Sequence, residues 1–167
     1  MKKLILAILV VVSAGTMSAQ TNIAHVNSQA LLDTLPSRKA AIVQLQKFEQ
    51  DGMLELQEME QDFNAALAKY QAALAGMSPV IQKIEEEKLM KKQQGLQERE
   101  QGLQQEMQVV SNELNAPILS LVQKAVKIVS ERNKINYVID ESVTLYFGGG
   151  TDITDEVIKE LLKMDKQ

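Results

Sequence analysis

Residues 56–84 read LQEMEQDFNAALAKYQAALAGMSPVIQKI. Apolar side chains recur in this stretch at alternating steps of three and four residues, which is the spacing of a coiled-coil seam. The predicted seam positions are Leu56, Met59, Phe63, Ala66, Tyr70, Ala73, Met77, Val80 and Ile84, and the seam is widened by Leu67, Leu74 and Ile81. The stretch therefore predicts long helices that pack on each other, not a globular core.

A break in the repeat marks the turn between the two helices. The tip, residues 76–79, combines Gly76, which tolerates positive φ, with Ser78 as a cap and Pro79 in the first turn of the next helix. Beyond it the apolar residues recur seven apart, as Leu89, Leu96, Leu103 and Val110. Between Leu89 and Leu103, however, polar side chains occupy the second seam position of each heptad. We expect antiparallel helical arms over residues 38–117, with a thin returning arm.

The arms are long and contain glycine. An unbroken helix over residues 38–76 spans roughly 60 Å. Each interior helical glycine costs roughly 1 kcal/mol relative to alanine, and the helical stretches contain or end in Gly52, Gly76, Gly95 and Gly102. Two interpretations stay open. The glycines are either sequence drift that the helices tolerate, or they give the arms a flexibility that suits their function, as the spacing of Gly95 and Gly102 by one heptad suggests.

The first 19 residues have the pattern of a secretory signal peptide. Two lysines precede the apolar run Leu4–Val12, and small residues follow up to Ala19. The run is shorter than the roughly 20 apolar residues that span a bilayer. We expect export to the periplasm with cleavage after Ala19, although the large Met17 could move the site by a few residues; an uncleaved anchor is the alternative.

The exported chain is acidic and lacks cysteine. Without Lys2 and Lys3 it carries 16 basic against 22 acidic side chains. Nucleic acids and anionic lipids are bound by basic patches, so we predict no nucleic-acid partner and at most peripheral membrane contact. The absence of Cys excludes disulfides and thiolate metal sites.

Residues 20–37 and 118–167 predict a small β-rich body. A strand over Ile23–Asn27 should precede a short helix, and the β-rich runs Asn136–Ile139 and Val143–Phe147 should form a hairpin. About 68 residues rarely bury enough apolar surface alone, which favours oligomerisation.

Two helices complete the predicted body. Pro117 should open or kink a helix whose apolar face comprises Ile118, Leu121, Val122, Ala125, Ile128 and Val129. The last helix should begin after Thr154 as its N-cap, because Asp155 and Glu156 then suit its positive end.

The chain offers no credible catalytic set. His25 is the only histidine and lies within a predicted strand. Glu85, Glu86 and Glu87 point in different directions on a helix beside lysines, and Gly148–Gly150 lacks the Lys-Ser/Thr that completes a phosphate loop. We therefore predict no catalytic, cofactor or metal site, and a protein that is not an enzyme.

The ordered set of these features resembles the Skp/OmpH family of periplasmic chaperones. The likeness rests on the opening strand Ile23–Asn27, the heptad arms with their Gly-Ser tip, the helix Pro117–Val129, and the closing segments Asn136–Asp140 and Asp152–Thr154. It covers the whole chain behind the signal peptide, although no single motif is specific.

The resemblance implies a homotrimer whose bodies share a β-barrel and whose tentacle-like arms hold unfolded outer-membrane proteins without ATP. The known members are basic and this chain is acidic, so attraction of clients or lipopolysaccharide to positive arms is in doubt here. Hydrophobic contacts would carry more of the binding.

Candidate binding residues follow from this view. Met is flexible and suits surfaces that accept varied partners, and Met53 and Met90 lie off the main seam. The predicted client contacts are Met53, Met90, Leu96, Leu103 and Met107, and the predicted trimer body uses Ile23, Val26, Val138, Ile139, Leu145 and Phe147. The alternative function is a structural adaptor whose hairpin docks another envelope complex, which the thin, glycine-bearing returning arm disfavours.

Overall fold

The computed structural model describes residues 22–166. The predicted signal peptide, residues 1–19, lies outside this part of the chain. Two compact units divide the described residues: the body, residues 22–35 and 121–166, and the arm unit, residues 36–120. The predicted functional ranges, 38–117 for the arms and 20–37 with 118–167 for an oligomerisation body, stay predictions.

Most of the described chain is helical. In order, the elements are β1 (Ile23–Val26), α1 (Ser28–Thr34), α2 (Pro36–Ala73), α3 (Pro79–Arg132), β2 (Tyr137–Asp140), β3 (Thr151–Asp152) and α4 (Thr154–Met164), with short 3₁₀ turns at Leu74–Gly76 and Glu141–Val143. Two long helices and a small sheet confirm the predicted α+β class. In the described residues, no helix has both the length and the hydrophobicity to cross a membrane.

Within the arm unit, α2 and α3 run antiparallel. The Tyr70 hydroxyl donates to a carboxylate oxygen of Glu86 at 2.7 Å, and the Arg99 guanidinium donates to Glu55 at 2.9 Å. Tyr70 of α2 pairs with Glu86 of α3, and the earlier Glu55 pairs with the later Arg99, which is the antiparallel pairing of a helical hairpin. The predicted coiled-coil arms are therefore present.

A short turn joins α2 to α3. A 3₁₀ turn ends at Gly76 and α3 begins at Pro79. The Ser78 hydroxyl oxygen accepts a bond from the backbone N–H of Ile81 at 3.4 Å. The side-chain amide of Gln82 donates to the carbonyl oxygens of Leu74 and Met77, both at 3.3 Å, so a polar side chain closes the turn.

The predicted seam holds along most of the arms and fails near the tip. Leu56, Met59, Phe63, Ala66 and Tyr70 are partly buried, as are the returning Leu89, Leu96 and Val110. The seam prediction is wrong for Ala73, Leu74, Val80, Ile81 and Ile84, all of which are exposed. The turn is short and Gln82 closes it with hydrogen bonds to Leu74 and Met77, so these apolar side chains are not buried in a seam.

One glycine is required by the packing of the arms. Gly52 is buried, and a Cβ built on it would lie 2.8 Å from Cδ2 of Leu103, closer than real side-chain contacts allow. Leu103 itself is only 6% exposed. The missing side chain at Gly52 thus makes the space into which Leu103 packs.

Gly95 and Gly102 are different. A Cβ on Gly95 would find its nearest neighbour in Met59 at 3.9 Å, and one on Gly102 in Arg99 at 3.8 Å, so alanine fits at both positions. Packing does not require glycine there, nor at Gly76, where a Cβ would meet nothing within 4 Å. The interpretations of drift and flexibility stay open for these three residues.

The body contains a three-stranded sheet in the order β2-β1-β3, in which both outer strands run parallel to β1. Ile23 pairs with Tyr137 and His25 with Ile139, while on the other side His25 pairs with Asp152. A parallel pair needs a long crossover connection. Here α1, α2 and α3 all lie between β1 and β2 in the sequence.

Helices cover one face of this sheet. The buried apolar side chains of the body come from β1, α1, α3 and α4: Ala24, Val26, Leu31, Leu35, Ala125, Val129, Ile153, Val157 and Leu161. Helix α1 packs against α4. The core of the body thus combines residues that are far apart in the sequence.

The predicted hairpin over residues 136–147 is wrong. After β2 the chain enters the turn Glu141–Val143, and the residues that follow it do not form a strand until Thr151. The Asp140 carboxylate accepts the Ser142 N–H at 3.0 Å, and the Thr144 hydroxyl donates to the Asp140 carbonyl oxygen at 2.9 Å. These local bonds turn the chain away from β2 before Val143–Phe147 can pair with it.

Side-chain caps join the first and last helices of the body. Asn27 is the N-cap of α1, and its side-chain oxygen accepts the Ala30 N–H at 2.9 Å. The Asn27 N–H in turn donates to the Thr154 hydroxyl oxygen at 3.0 Å. Thr154 was predicted to cap α4, but it is the first residue of that helix, and Asp152 accepts its N–H at 2.8 Å.

We predict that Gly102→Ala raises the free energy of unfolding and that Gly52→Ala does not, although alanine has the higher helix propensity at both positions. Alanine gains about 1 kcal/mol over glycine in a helix, but at residue 52 it meets Leu103, and overpacking costs about 1–3 kcal/mol. The free energy of unfolding of Gly52→Ala should therefore lie about 1–3 kcal/mol below that of Gly102→Ala in urea titrations followed by circular dichroism.

A double-mutant cycle isolates the contact. Leu103→Ala removes the side chain that a new Cβ would strike, so its cost should be smaller in the Gly52→Ala background than in the wild type. Equal stabilisation by the two glycine substitutions, with no coupling to Leu103, would contradict a packing role for Gly52.

A second prediction concerns the cap at Asn27. Asn27→Ala leaves the Ala30 N–H without its side-chain acceptor and should destabilise the body by about 0.5–2 kcal/mol. Asn27→Ser restores an N-cap oxygen and should recover most of that loss in thermal unfolding. If the alanine and serine variants unfold at the same temperature, the cap does not stabilise α1.

Candidate functional site

The sheet of the body leaves one face uncovered by its own helices. Alternate residues of β1 and β2 lie on this face, which we call the open face: Ile23, His25, Tyr137 and Ile139. Ile23 is 45% exposed, Tyr137 63% and Ile139 41%. Parallel sheets are ordinarily covered on both faces, so the open face is a candidate binding surface.

The predicted residues of the trimer body fall on both sides of the sheet. Ile23 and Ile139 lie on the open face, whereas Val26 is buried in the core and Val138 is half-buried. Tyr137 is the most exposed member of the open face and was not singled out from the sequence. The period of two along the strand Tyr137–Asp140 could have identified it, since Tyr137 and Ile139 share a face.

The segment after β2 adds further exposed apolar side chains. Val143 is 78% exposed and Tyr146 85%, and the Leu145 side chain is fully exposed. The ring of Phe147 stacks on His25 with centroids 4.7 Å apart. Of the two residues predicted in this segment for the trimer body, Phe147 therefore adjoins the open face, and Leu145 has no packing partner of its own.

A close approach of the backbone brings β3 beside β1. Gly150 has a φ of +110°, and a Cβ there would lie 3.3 Å from the Ile23 carbonyl oxygen and 3.4 Å from Cδ2 of His25. Glycine adopts this backbone conformation without steric cost. Gly150 therefore carries the chain past His25.

Polar groups gather around His25. Its Nδ1 lies 2.6 Å from Oε1 of Glu141, and Oε2 of Glu141 accepts the Asn27 side-chain amide at 3.1 Å. Hydrogen bonds from the hydroxyl and N–H of Thr154, helped by the nearby His25, hold the pKa of Asp152 below its usual range. Both carboxylates are thus fixed in position by donors of the body.

The arm unit exposes apolar side chains that the seam does not use. Met53 is 62% exposed, Leu54 57%, Met90 66% and Val109 55%. Of the predicted client contacts, Met53 and Met90 are exposed, Leu96 and Met107 are partly buried, and Leu103 is buried against Gly52. Client contact is untested for all five residues.

Arg99 holds a seam position without an apolar partner. Its side chain is 23% exposed and bonds to Glu55 at 2.9 Å and to Glu106 at 3.0 Å. A charged group here replaces the apolar contact that a regular coiled coil would have. The thin packing predicted for the returning arm is thus seen in its side chains.

Comparison with known proteins places these features in a family. The family model for outer membrane protein (OmpH-like) matches residues 22–161. The Chaperone protein Skp of Yersinia pseudotuberculosis is 35% identical over 153 residues, which cover 92% of this chain and 93% of the relative. The Chaperone protein Skp of Photorhabdus laumondii is 30% identical over 165 residues, 96% of this chain and 99% of the relative.

A solved structure agrees in fold. The crystal structure of an OmpH-like protein from Caulobacter crescentus matches with a TM-score of 0.76 at 16% identity, covering 87% of this chain and 86% of the other. The long helices, the small sheet and the matched sequence thus agree, and the chain belongs to the OmpH-like outer membrane protein family.

Proposed function

We propose that this protein is a periplasmic holdase chaperone, which binds unfolded outer-membrane β-barrel proteins and keeps them from aggregating on the way to the outer membrane. It acts by binding, without catalysis, ATP or a cofactor. Export would follow cleavage near Ala19. Relatives of nearly the same length that carry the name Chaperone protein Skp support this proposal.

The observation that carries the proposal is the exposed apolar surface of the arm unit. Met53 and Met90 are both more than 60% exposed. Scattered apolar side chains of this kind can contact an unfolded chain without forming a patch large enough to cause self-association. Methionine adapts its shape to different partners, which suits a protein with varied clients.

This proposal uses fewer client contacts than the five that were predicted from the sequence. Met53 and Met90 are its main contacts, and the partly buried Leu96 and Met107 lie at its edge. Leu103 fills the space beside Gly52 and supports the arm instead. The acidic charge of the chain favours such apolar contacts over attraction to negatively charged clients.

We also propose that the body assembles as a homotrimer through the open face. Burial of Tyr137 and Ile139 would supply the missing cover of the sheet, and the exposed segment Val143–Phe147 offers strand-forming residues to a neighbouring copy. Three small bodies would together bury more apolar surface than one can alone. A shared barrel would also remove the open edges of the sheet.

An adaptor that docks another envelope complex is the second candidate. The exposed apolar residues at the tip favour it, because a hairpin end of this kind could enter a groove: Leu74, Val80, Ile81 and Ile84. Val80→Ser with Ile81→Ser separates the two functions. An adaptor loses its partner in this variant, whereas a holdase that uses the sides of the arms keeps its clients.

We predict that Met53→Ser with Met90→Ser lowers the apparent affinity for an unfolded β-barrel protein by about tenfold, the loss expected from roughly 1.4 kcal/mol of apolar contact. The measurement is light scattering during dilution of a denatured β-barrel protein, with increasing amounts of the chaperone. Both substitutions lie on exposed positions, so the fold should be unchanged by circular dichroism.

The matched control is Gln57→Ser with Gln93→Ser, which shortens two exposed polar side chains of the same arms. It should protect the client as well as the wild type does. A stronger test replaces residues 45–110 with a short Gly-Ser link, which should abolish protection. Full protection by that armless variant would refute the client role of the arms.

Sedimentation tests the assembly. The exported chain should sediment at about three times its monomer mass, as a closed homo-oligomer, and Tyr137→Glu with Ile139→Lys should shift it toward the monomer at micromolar concentration. Val109→Lys, which charges an exposed residue of the arms, should leave the mass unchanged. A folded wild-type monomer at micromolar concentration would contradict the proposal.

A further inference from the structure

Three side chains of the body converge beside the open face. A ring nitrogen of His25, one carboxylate oxygen of Glu141 and one of Asp152 all lie within 4.8 Å of one another. They come from β1, from the turn after β2 and from β3, so each strand of the sheet contributes to the cluster directly or through its next residue. The pairing of His25 with Asp152 in the sheet makes these two residues direct neighbours.

Each of the three side chains is held from outside the cluster. Oε2 of Glu141 accepts the Asn27 amide at 3.1 Å, which leaves Oε1 on the side of His25. Oδ1 of Asp152 accepts the Thr154 N–H at 2.8 Å, and the His25 ring lies against Phe147. Supporting bonds of this kind orient metal ligands in proteins and fix the ring of a ligating histidine.

The charge of the cluster favours a cation. Two carboxylates lie close together, that of the half-buried Glu141 and that of the exposed Asp152, and the partial burial of Glu141 leaves their repulsion less screened than in water. Among residues 22–166, the ion pairs give neither Glu141 nor Asp152 a lysine or arginine partner, and the group paired with Glu141 is the His25 ring. A divalent ion would offset both negative charges at once.

We propose that His25, Glu141 and Asp152 bind one divalent first-row transition-metal ion per chain, with water completing its coordination. One imidazole nitrogen and two carboxylate oxygens are ligands that suit Zn²⁺ and its neighbours, whereas Mg²⁺ and Ca²⁺ prefer oxygen alone. This proposal is independent of the chaperone function.

The site needs two movements. Ligand atoms about 2.0–2.2 Å from a tetrahedral metal lie about 3.3 Å from one another, so the 2.6 Å separation of His25 and Glu141 must widen by less than about 1 Å. Ligand atoms of the cluster that lie up to 4.8 Å apart must approach by up to about 1.5 Å. Rotation of the Glu141 carboxylate, with its hydrogen bond from Asn27 kept, can provide the widening. Bound metal would then tie β1 to both neighbouring strands through their side chains.

Equilibrium dialysis of the full chain, purified without a histidine tag and freed of metal by a chelator, tests the proposal with zinc chloride. We expect one Zn²⁺ per chain with a dissociation constant on the order of micromolar. Because His25 is the only histidine, its imidazole proton resonances report directly on binding. They should shift on addition of Zn²⁺ and keep their positions on addition of equal Mg²⁺.

The variants distinguish a built site from surface carboxylates. His25→Gln should weaken zinc binding by more than about tenfold, and Glu141→Gln and Asp152→Asn by about 10–100-fold. Asp33→Asn, which changes an exposed acidic residue of the same body, should bind as the wild type does. Asp152→Asn keeps an oxygen for the Thr154 N–H, so it decides the matter if His25→Gln does not fold.

Two results would overturn the proposal. One is the absence of zinc binding up to millimolar concentration, which would mean that His25 and Glu141 form only an internal hydrogen-bonded pair. The other is equal zinc affinity in the wild type and in the folded variants, which would mean that zinc binds to other carboxylates of this acidic chain.

Discussion

The parallel pairing of β1 with β2 is the constraint on which the rest of the fold depends. Parallel strands cannot be joined by a tight turn, so the chain needs a crossover between them. In ordinary α/β units a single helix serves this purpose, whereas here the crossover contains α1, all of α2 and all of α3. The hairpin must therefore return the chain to the body before β2 can pair with β1.

The same pairing explains why the body is incomplete on one side. Its helices cover the face that contains Ala24 and Val26, and these two residues are almost fully buried. No further helix of the described chain is available for Tyr137 and Ile139, because α2 and most of α3 belong to the arm unit. Because the helices of the body cover only one face of the sheet, the other face can be covered only by residues from outside the chain. A symmetric assembly is the simplest source of such residues.

The sequence predicts what is local and periodic. Heptad spacing identified the two arms, and Gly76 with Pro79 identified the tip, because a helix seam and a helix break are both set by residues close in sequence. The strand at Ile23 was found for the same reason. Even within the arms the seam prediction is wrong at Val80 and Ile84, where the heptad spacing continues but both side chains are exposed.

What the sequence could not predict depends on residues that are far apart. A β-rich run such as Val143–Phe147 has the same composition whether it pairs with its neighbour or with nothing, and the bonds of Asp140 to Ser142 and Thr144 decide against the hairpin. His25 looked like an ordinary strand residue because Glu141, its partner, is 116 positions away. The periodicity of a single segment contains no information about such pairs.

Gly52 and Gly102 illustrate how the arms combine order with exposure. Both cost helix stability alike, yet Gly52 makes room for Leu103, whereas at Gly102 a Cβ would fit beside the Arg99 side chain. Leu103 packs closely on Gly52, whereas elsewhere the interface contains polar residues such as Arg99. Apolar side chains like Met53 lie outside the seam and remain on the surface. An interface packed tightly along its whole length would consume the surface that a client could use, and one without any tight contact would not hold the two helices together.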